Sequence, residues 1–175
     1  GNGWDMHPGK LSGRPLDKQR TPESESYYKK EWKSIMDALY NFPSIVVWVP
    51  FNEAWGQFKT KEITEWTMKY DPSRLVNSAS GGNFMNSGHI LDIHNYPDPA
   101  IPDPAIYGDK QILVLGEFGG LGLPIVGHNW QEKDNWGYQS FKSKEELTAR
   151  YKKLMTDLDR LISLGLSAAV YTQTT

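Results

Sequence analysis

The pattern of apolar and polar positions divides the chain into short apolar runs separated by amphipathic or loop-like segments. Five apolar runs occur, near residues 45, 75, 90, 112 and 168. The run 45–49 is almost wholly apolar and rich in β-branched residues, which is typical of a strand buried on both faces in a parallel sheet. Strands that alternate with helices in this way predict an α/β fold with a parallel sheet.

Three helices are predicted from capping residues and helical spacing. The first begins after Thr21, which is suited to the cap position, and has Pro22 in its first turn. The second follows a turn at residues 56–60 and has Ile63, Trp66, Thr67 and Tyr70 on one face. The third begins after Ser143, and Glu146 three residues later completes a capping box. The first helix precedes the strand near residue 45, and the second and third lie between predicted strands, as a parallel sheet allows.

The segment 121–142 has no regular period and carries Trp130, Trp136 and Tyr138. A loop of this length in a compact domain is usually functional. Aromatic side chains suit sugar binding, because sugar C–H faces stack on rings, although they also pack well in a core.

The number of predicted strands bears on whether the fold is a complete or a partial barrel. We expect residues 1–175 to form a single domain of the (β/α)8 TIM-barrel type. A closed barrel of this kind needs about 250 residues, so we expect a partial barrel whose missing strands precede residue 1. The unpaired strand edges of a partial barrel predict self-association.

Composition and charge exclude several function classes. A net charge of −2 gives no basis for binding nucleic acid or an anionic membrane. No apolar stretch is long enough to span a bilayer. The absence of cysteine excludes disulfides and thiol chemistry and leaves the cellular compartment open.

Candidate chemistry follows two of the predicted strands. Pro50 ends the first, and Asn52 and Glu53 come directly after it; Glu117 follows the strand near residue 112. The carboxyl ends of strands are where α/β barrels keep their active sites. Two carboxylates facing each other across a cleft are the minimal machinery for cleaving a glycosidic bond.

These segments together resemble glycoside hydrolase family 2, the family of β-galactosidases, β-glucuronidases and β-mannosidases. Four segments match the family's motifs in order, namely residues 42–48, 52–53, 92–97 and 116–119. The resemblance implies that the chain covers about strands 4–8 of the catalytic barrel. One departure is the end of the last strand, Gln173-Thr-Thr, where many members have a tryptophan.

The resemblance implies a retaining β-glycosidase that acts without a cofactor on a β-linked galactoside or related carbohydrate. Glu53 would be the general acid/base and Glu117 the nucleophile. Asn52 would hydrogen-bond the sugar 2-hydroxyl, and His94 and Tyr96 would line the pocket. Trp55, Trp130 and Trp136 are candidate stacking platforms, although each residue also has a purely structural interpretation. The sugar that is cleaved stays open.

Two other functions remain as alternatives. One is a non-catalytic carbohydrate-binding or scaffold module. The other is a metal-dependent hydrolase that uses His89, Asp92 and His94, since two imidazoles and a carboxylate are common zinc ligands. On a strand, however, His89 points away from the other two, so we expect no metal site.

Overall fold

The computed structural model describes residues 17–53, 56–131 and 133–173. The chain divides into two compact units. The first comprises Gly1–Asp92 and Asp103–Ile112, and the second comprises Ile93–Pro102 and Leu113–Thr175. No helix among the described residues is long and apolar enough to cross a membrane.

The predicted helices and strands are present, although some strands follow one another without a helix between them. In chain order they are α1 (Pro22–Leu39), β1 (Val47–Trp48), α2 (Thr60–Tyr70), β2 (Leu75–Val76), β3 (Ile90–His94), α3 (Pro104–Tyr107), β4 (Ile112–Gly119), β5 (Leu121–Gly122), β6 (Gln139–Ser140), α4 (Lys144–Ser163) and β7 (Ala168–Thr172). Strand β1 pairs with β2, β4 with β7, and β5 with β6, all in parallel.

The local signals for the helices are confirmed. The Thr21 side chain accepts a hydrogen bond from the Ser24 N–H and caps α1. The Ser143 hydroxyl accepts one from the Glu146 N–H, and the Glu146 carboxylate accepts one from the Lys142 N–H. Each cap satisfies a backbone donor that has no partner within the helix.

The first unit contains a β–α–β arrangement in which helices cover the sheet. Met36 of α1, Trp48 of β1 and Val76 of β2 form one buried cluster. A second cluster joins Phe51 and Phe58 to Ile63 of α2. The stretch after β1 is therefore held by the core on one side.

The second unit contains another β–α–β arrangement, from β4 through α4 to β7. Leu115 and Phe118 of β4 pack with Leu154 and Leu161 of α4 in one buried cluster. The order of hydrogen-bonded strands in this sheet is β3-β4-β7.

Three predictions about elements are wrong in part. Val46 and Val49 are exposed, so the run 45–49 is not buried on both faces. Glu117 lies within β4, which runs on to Gly119, rather than after the strand. The segment 121–142 is not wholly irregular, because its two ends pair as β5 and β6. The last two differences arise from pairing between distant residues, which a local pattern does not show.

Candidate active site

Glu117 lies at an irregularity in the pairing of β4 with β7. Leu115 pairs with Ala169 and Phe118 with Tyr171, so three steps along β4 oppose two along β7. A bulge of this kind turns side chains away from strict alternation. Both Leu115 and Phe118 are buried in the core, whereas the Glu117 side chain remains 31% exposed. The Glu117 carboxylate is thus accessible although Leu115 and Phe118, on either side of it in β4, are buried.

Two side chains from the end of β3 approach the Glu117 carboxylate. The Tyr96 hydroxyl donates a hydrogen bond to Oε2, and Nδ1 of His94 lies 3.5 Å from the same oxygen. The backbone supports this arrangement, because the Asn95 N–H donates to the Glu117 carbonyl over 3.0 Å. The structure therefore brings three of the predicted site residues together within the second unit.

Tyr96 is held in its donor form. Burial raises the pKa of its hydroxyl above the usual range, and the hydrogen bond to Glu117 acts in the same direction. A hydrogen bond from Thr172 opposes these effects without reversing them. Tyr96 therefore stays protonated at neutral pH and continues to donate to the carboxylate.

An aromatic stack continues outward from Tyr96. The Tyr138 ring lies parallel to the Tyr96 ring at a centroid distance of 3.7 Å. Trp136 meets Tyr138 edge to face at 4.6 Å. The sequence pattern identifies Tyr138 only as a loop aromatic, and no local signal indicates that it lies beside Tyr96.

Glu53 lies in the first unit, where Ser80 holds the backbone at Phe51 and Glu53. The Glu53 N–H donates to the Ser80 carbonyl over 2.7 Å, and the Ser80 N–H donates to the Phe51 carbonyl over 3.0 Å. Glu53 adopts φ of +46°, a left-handed conformation that costs a non-glycine residue about 1–3 kcal/mol. Strained residues of this kind concentrate at functional sites. The adjacent Asn52 is exposed.

Asp92 supports the segment that holds Glu53. Its buried carboxylate accepts hydrogen bonds from Asn77 Nδ2 and Ser80 Oγ, each at 2.8 Å. His89 also has a structural contact, since its Nδ1 accepts the Val76 N–H at 2.9 Å. Binding of a metal by His89 and Asp92 would compete with these hydrogen bonds.

The predicted stacking residues differ in their placement. Trp55 lies outside the described residues. Trp130 is fully exposed, whereas Trp136 is 72% exposed and in contact with Tyr138. Of the two described tryptophans, Trp136 is thus the one that a ring contact links to the group around Glu117.

Comparison with known proteins gives one family. The family model described as "Glycosyl hydrolases family 2, TIM barrel domain" matches residues 14–105, just over half of the chain. No curated protein matches the chain. The matched range includes Asn52, Glu53, His94 and Tyr96, while Glu117 lies beyond it.

Proposed function

Because the chain belongs to glycosyl hydrolase family 2, with a (β/α)8-type fold, we propose that it is a retaining β-glycosidase with Glu117 as nucleophile and Glu53 as general acid/base. The proposed substrate is a β-linked galactoside or a related glycoside. Asn52, His94 and Tyr96 would contact the sugar.

The observation that carries the proposal is the environment of Glu117. Its carboxylate accepts the Tyr96 O–H and lies near His94 Nδ1. A nucleophilic carboxylate must be accessible and fixed in orientation. The 31% exposed side chain and the hydrogen bond from Tyr96 meet these two requirements.

The reaction needs only the two carboxyl groups and water. An oxygen of Glu117 attacks the anomeric carbon, the bond to the leaving oxygen breaks, and Glu53 gives its proton to that oxygen. Glu53 then takes a proton from a water molecule, which attacks the anomeric carbon and releases Glu117. Two inversions restore the original configuration, so the product is the β-sugar.

The Tyr96 hydroxyl has a specific task in the second step. As the ester bond breaks, negative charge returns to the Glu117 oxygen, and a positioned O–H donor stabilises that charge. Asn52 would hydrogen-bond the sugar 2-hydroxyl, an interaction that strengthens in the transition state of such enzymes.

The test begins with hydrolysis of 4-nitrophenyl β-glycosides of galactose, glucuronic acid and mannose by the full chain. A 2-deoxy-2-fluoro analogue of the sugar that is cleaved should then inactivate the protein, and mass spectrometry should locate the added sugar on Glu117. Glu117→Gln should abolish turnover. The control is Glu145→Gln in the first turn of α4, which should retain full activity.

The other functions give different results. Sugar binding without turnover of any of the three glycosides would support a carbohydrate-binding module. Loss of activity with a chelator, and retention of activity in Glu117→Gln, would support a metal-dependent hydrolase. A crystal structure with the two carboxyl groups more than about 10 Å apart would contradict the retaining mechanism, which requires roughly 5–5.5 Å.

A further inference from the structure

We propose that Trp136 is a stacking platform for the leaving-group part of the substrate, the sugar or aromatic ring on the far side of the bond that is cleaved. The inference rests on the proposed function, and it names a binding subsite and the class of chemical group that would occupy it.

The first argument is the continuity of the stack. Tyr96 donates to Glu117, Tyr138 stacks on Tyr96 at 3.7 Å, and Trp136 contacts Tyr138 at 4.6 Å. A sugar attacked by Glu117 meets Tyr96 first. Trp136 is two rings further out, so the unit it meets is the next one along the substrate. For an enzyme that removes a terminal sugar, that unit is the leaving group.

The second argument is exposure. Trp136 remains 72% exposed although it is held by a ring contact. A tryptophan that served only to pack the loop would bury most of its large apolar surface. An exposed ring face in the stack that begins at Tyr96 is available to the C–H face of a sugar or to an aryl ring.

The third argument is that the platform is held rigidly near Glu117. The pairing of β5 with β6 fixes the segment on either side of Tyr138, and the Tyr138 N–H donates to the Gly120 carbonyl over 3.0 Å. A Cβ on Gly120 would lie 2.3 Å from the Tyr138 ring, and one on Gly137 would lie 3.2 Å from Gly122. The backbone therefore lies close to the Tyr138 ring at Gly120 and close to Gly122 at Gly137. Gly120 is three residues after Glu117 in the chain.

The experiment compares leaving groups in the full chain. Trp136→Ala should lower kcat/KM about tenfold for the 4-nitrophenyl glycoside and for a disaccharide of the same sugar. It should leave kcat/KM unchanged for the methyl glycoside, whose leaving group has no ring. Trp136→Phe keeps a ring and should recover part of the loss. Val126→Ala shortens another exposed side chain of the same segment and should change neither value.

The outcomes separate the inference from the function on which it rests. If the wild-type chain hydrolyses no glycoside, the proposed function fails. If it is active and Trp136→Ala lowers kcat/KM equally for the methyl and ring-bearing substrates, the residue has only a structural role and the inference is overturned. An effect of Val126→Ala as large as that of Trp136→Ala would also overturn it, because the loss would then not be specific to the stacked ring.

Discussion

Tyr96 contacts an aromatic ring and a carboxylate through one side chain. Its ring stacks on Tyr138 and its hydroxyl donates to Glu117. Removal of the hydroxyl alone therefore tests the donor without removing the stack.

We expect Tyr96→Phe to lower kcat about tenfold or more, because a hydrogen bond to a charged group contributes about 1.5–3 kcal/mol. The loss should fall on the step that releases Glu117, so the covalent intermediate should accumulate and KM should fall with kcat. Rapid-mixing measurements should show a burst of 4-nitrophenol. The control Tyr27→Phe lies on α1 and should behave as wild type; the same result for Tyr96→Phe would contradict the assigned role.

The raised pKa of Tyr96 also predicts the pH range of its action. The neutral donor form is present below the folded-state pKa, which lies above the ordinary value near 10. If activity falls as the pH is raised towards about 10, the loss should therefore come from ionisation of a group other than Tyr96.

Glu53 is the second residue that differs from a simple strand-end carboxylate, because its backbone is left-handed. Glu53→Gly should raise the free energy of unfolding by up to about 1 kcal/mol, since glycine accepts this conformation without strain. The same substitution should abolish hydrolysis of methyl glycosides, which require a proton donor. Dinitrophenyl glycosides, whose leaving group needs no proton, should retain measurable activity.

The matched control is Asn86→Gly, since Asn86 also has positive φ, at +52°. Asparagine tolerates this conformation, so stability should change little and activity not at all. Equal activity losses in the two variants would contradict a chemical role for Glu53.

At the scale of elements, the pairing of β5 with β6 decides where the aromatic residues lie. Gly120→Ala should displace Tyr138, because the new Cβ would overlap its ring. Gly127 offers a control, since it has φ of +79° but a Cβ added there would meet nothing within 4 Å. Alanine is strained at positive φ in both variants. The difference between their free energies of unfolding therefore measures the contact with Tyr138 alone.

We expect Gly120→Ala to be less stable than Gly127→Ala by about 1–3 kcal/mol, the usual cost of overpacking. It should also lower kcat/KM, while Gly127→Ala should not. Urea unfolding and glycoside hydrolysis provide the two measurements. Equal stability and equal activity of the two variants would show that the position of Tyr138 does not depend on Gly120.

At the scale of the whole molecule, the lowered pKa of Asp71 makes the free energy of unfolding depend on pH. Burial acts to raise its pKa, but hydrogen bonds from Ser73, Trp48 and Arg74 outweigh burial and hold the pKa well below its usual range. The stabilisation is therefore complete above the unfolded-state pKa of about 4 and is lost as pH falls towards the folded-state value.

Asp71→Asn should lower the free energy of unfolding at pH 7 by roughly 3–5 kcal/mol, because it leaves the largely buried Arg74 without its charged partner. The difference from wild type should shrink as the pH is lowered from about 4. Urea titrations at about pH 3 and pH 7 measure both values. Asp109→Asn, on an exposed residue of the same unit, should leave the pH dependence unchanged.

Self-association remains a prediction at this scale. Among the described residues β7 pairs with β4 alone, and its Val170 is 55% exposed. An exposed apolar strand edge is a template for pairing with a second copy. Light scattering should detect oligomers, and Val170→Lys should reduce them; a monomer at all concentrations would contradict the prediction.

Local signals in the sequence are sufficient for much of the fold. The caps at Thr21 and Ser143 and the strands β3 and β7 are predicted from the sequence and confirmed by the structure. Each depends on residues that are close in sequence, where capping chemistry and apolar spacing act directly. The membership in glycosyl hydrolase family 2, predicted from motif order, is likewise confirmed.

The tertiary structure decided the features that depend on residues far apart in sequence. The bulge at Glu117 arises from pairing of β4 with β7, and the stack of Tyr138 on Tyr96 joins two distant segments of the chain. The positive φ of Glu53 accompanies its hydrogen bond to Ser80. The sequence by itself determined which residues are candidates for the chemistry, because residue type and nearness to an apolar run are local. Only the tertiary structure determined their orientation, because that depends on contacts between distant segments.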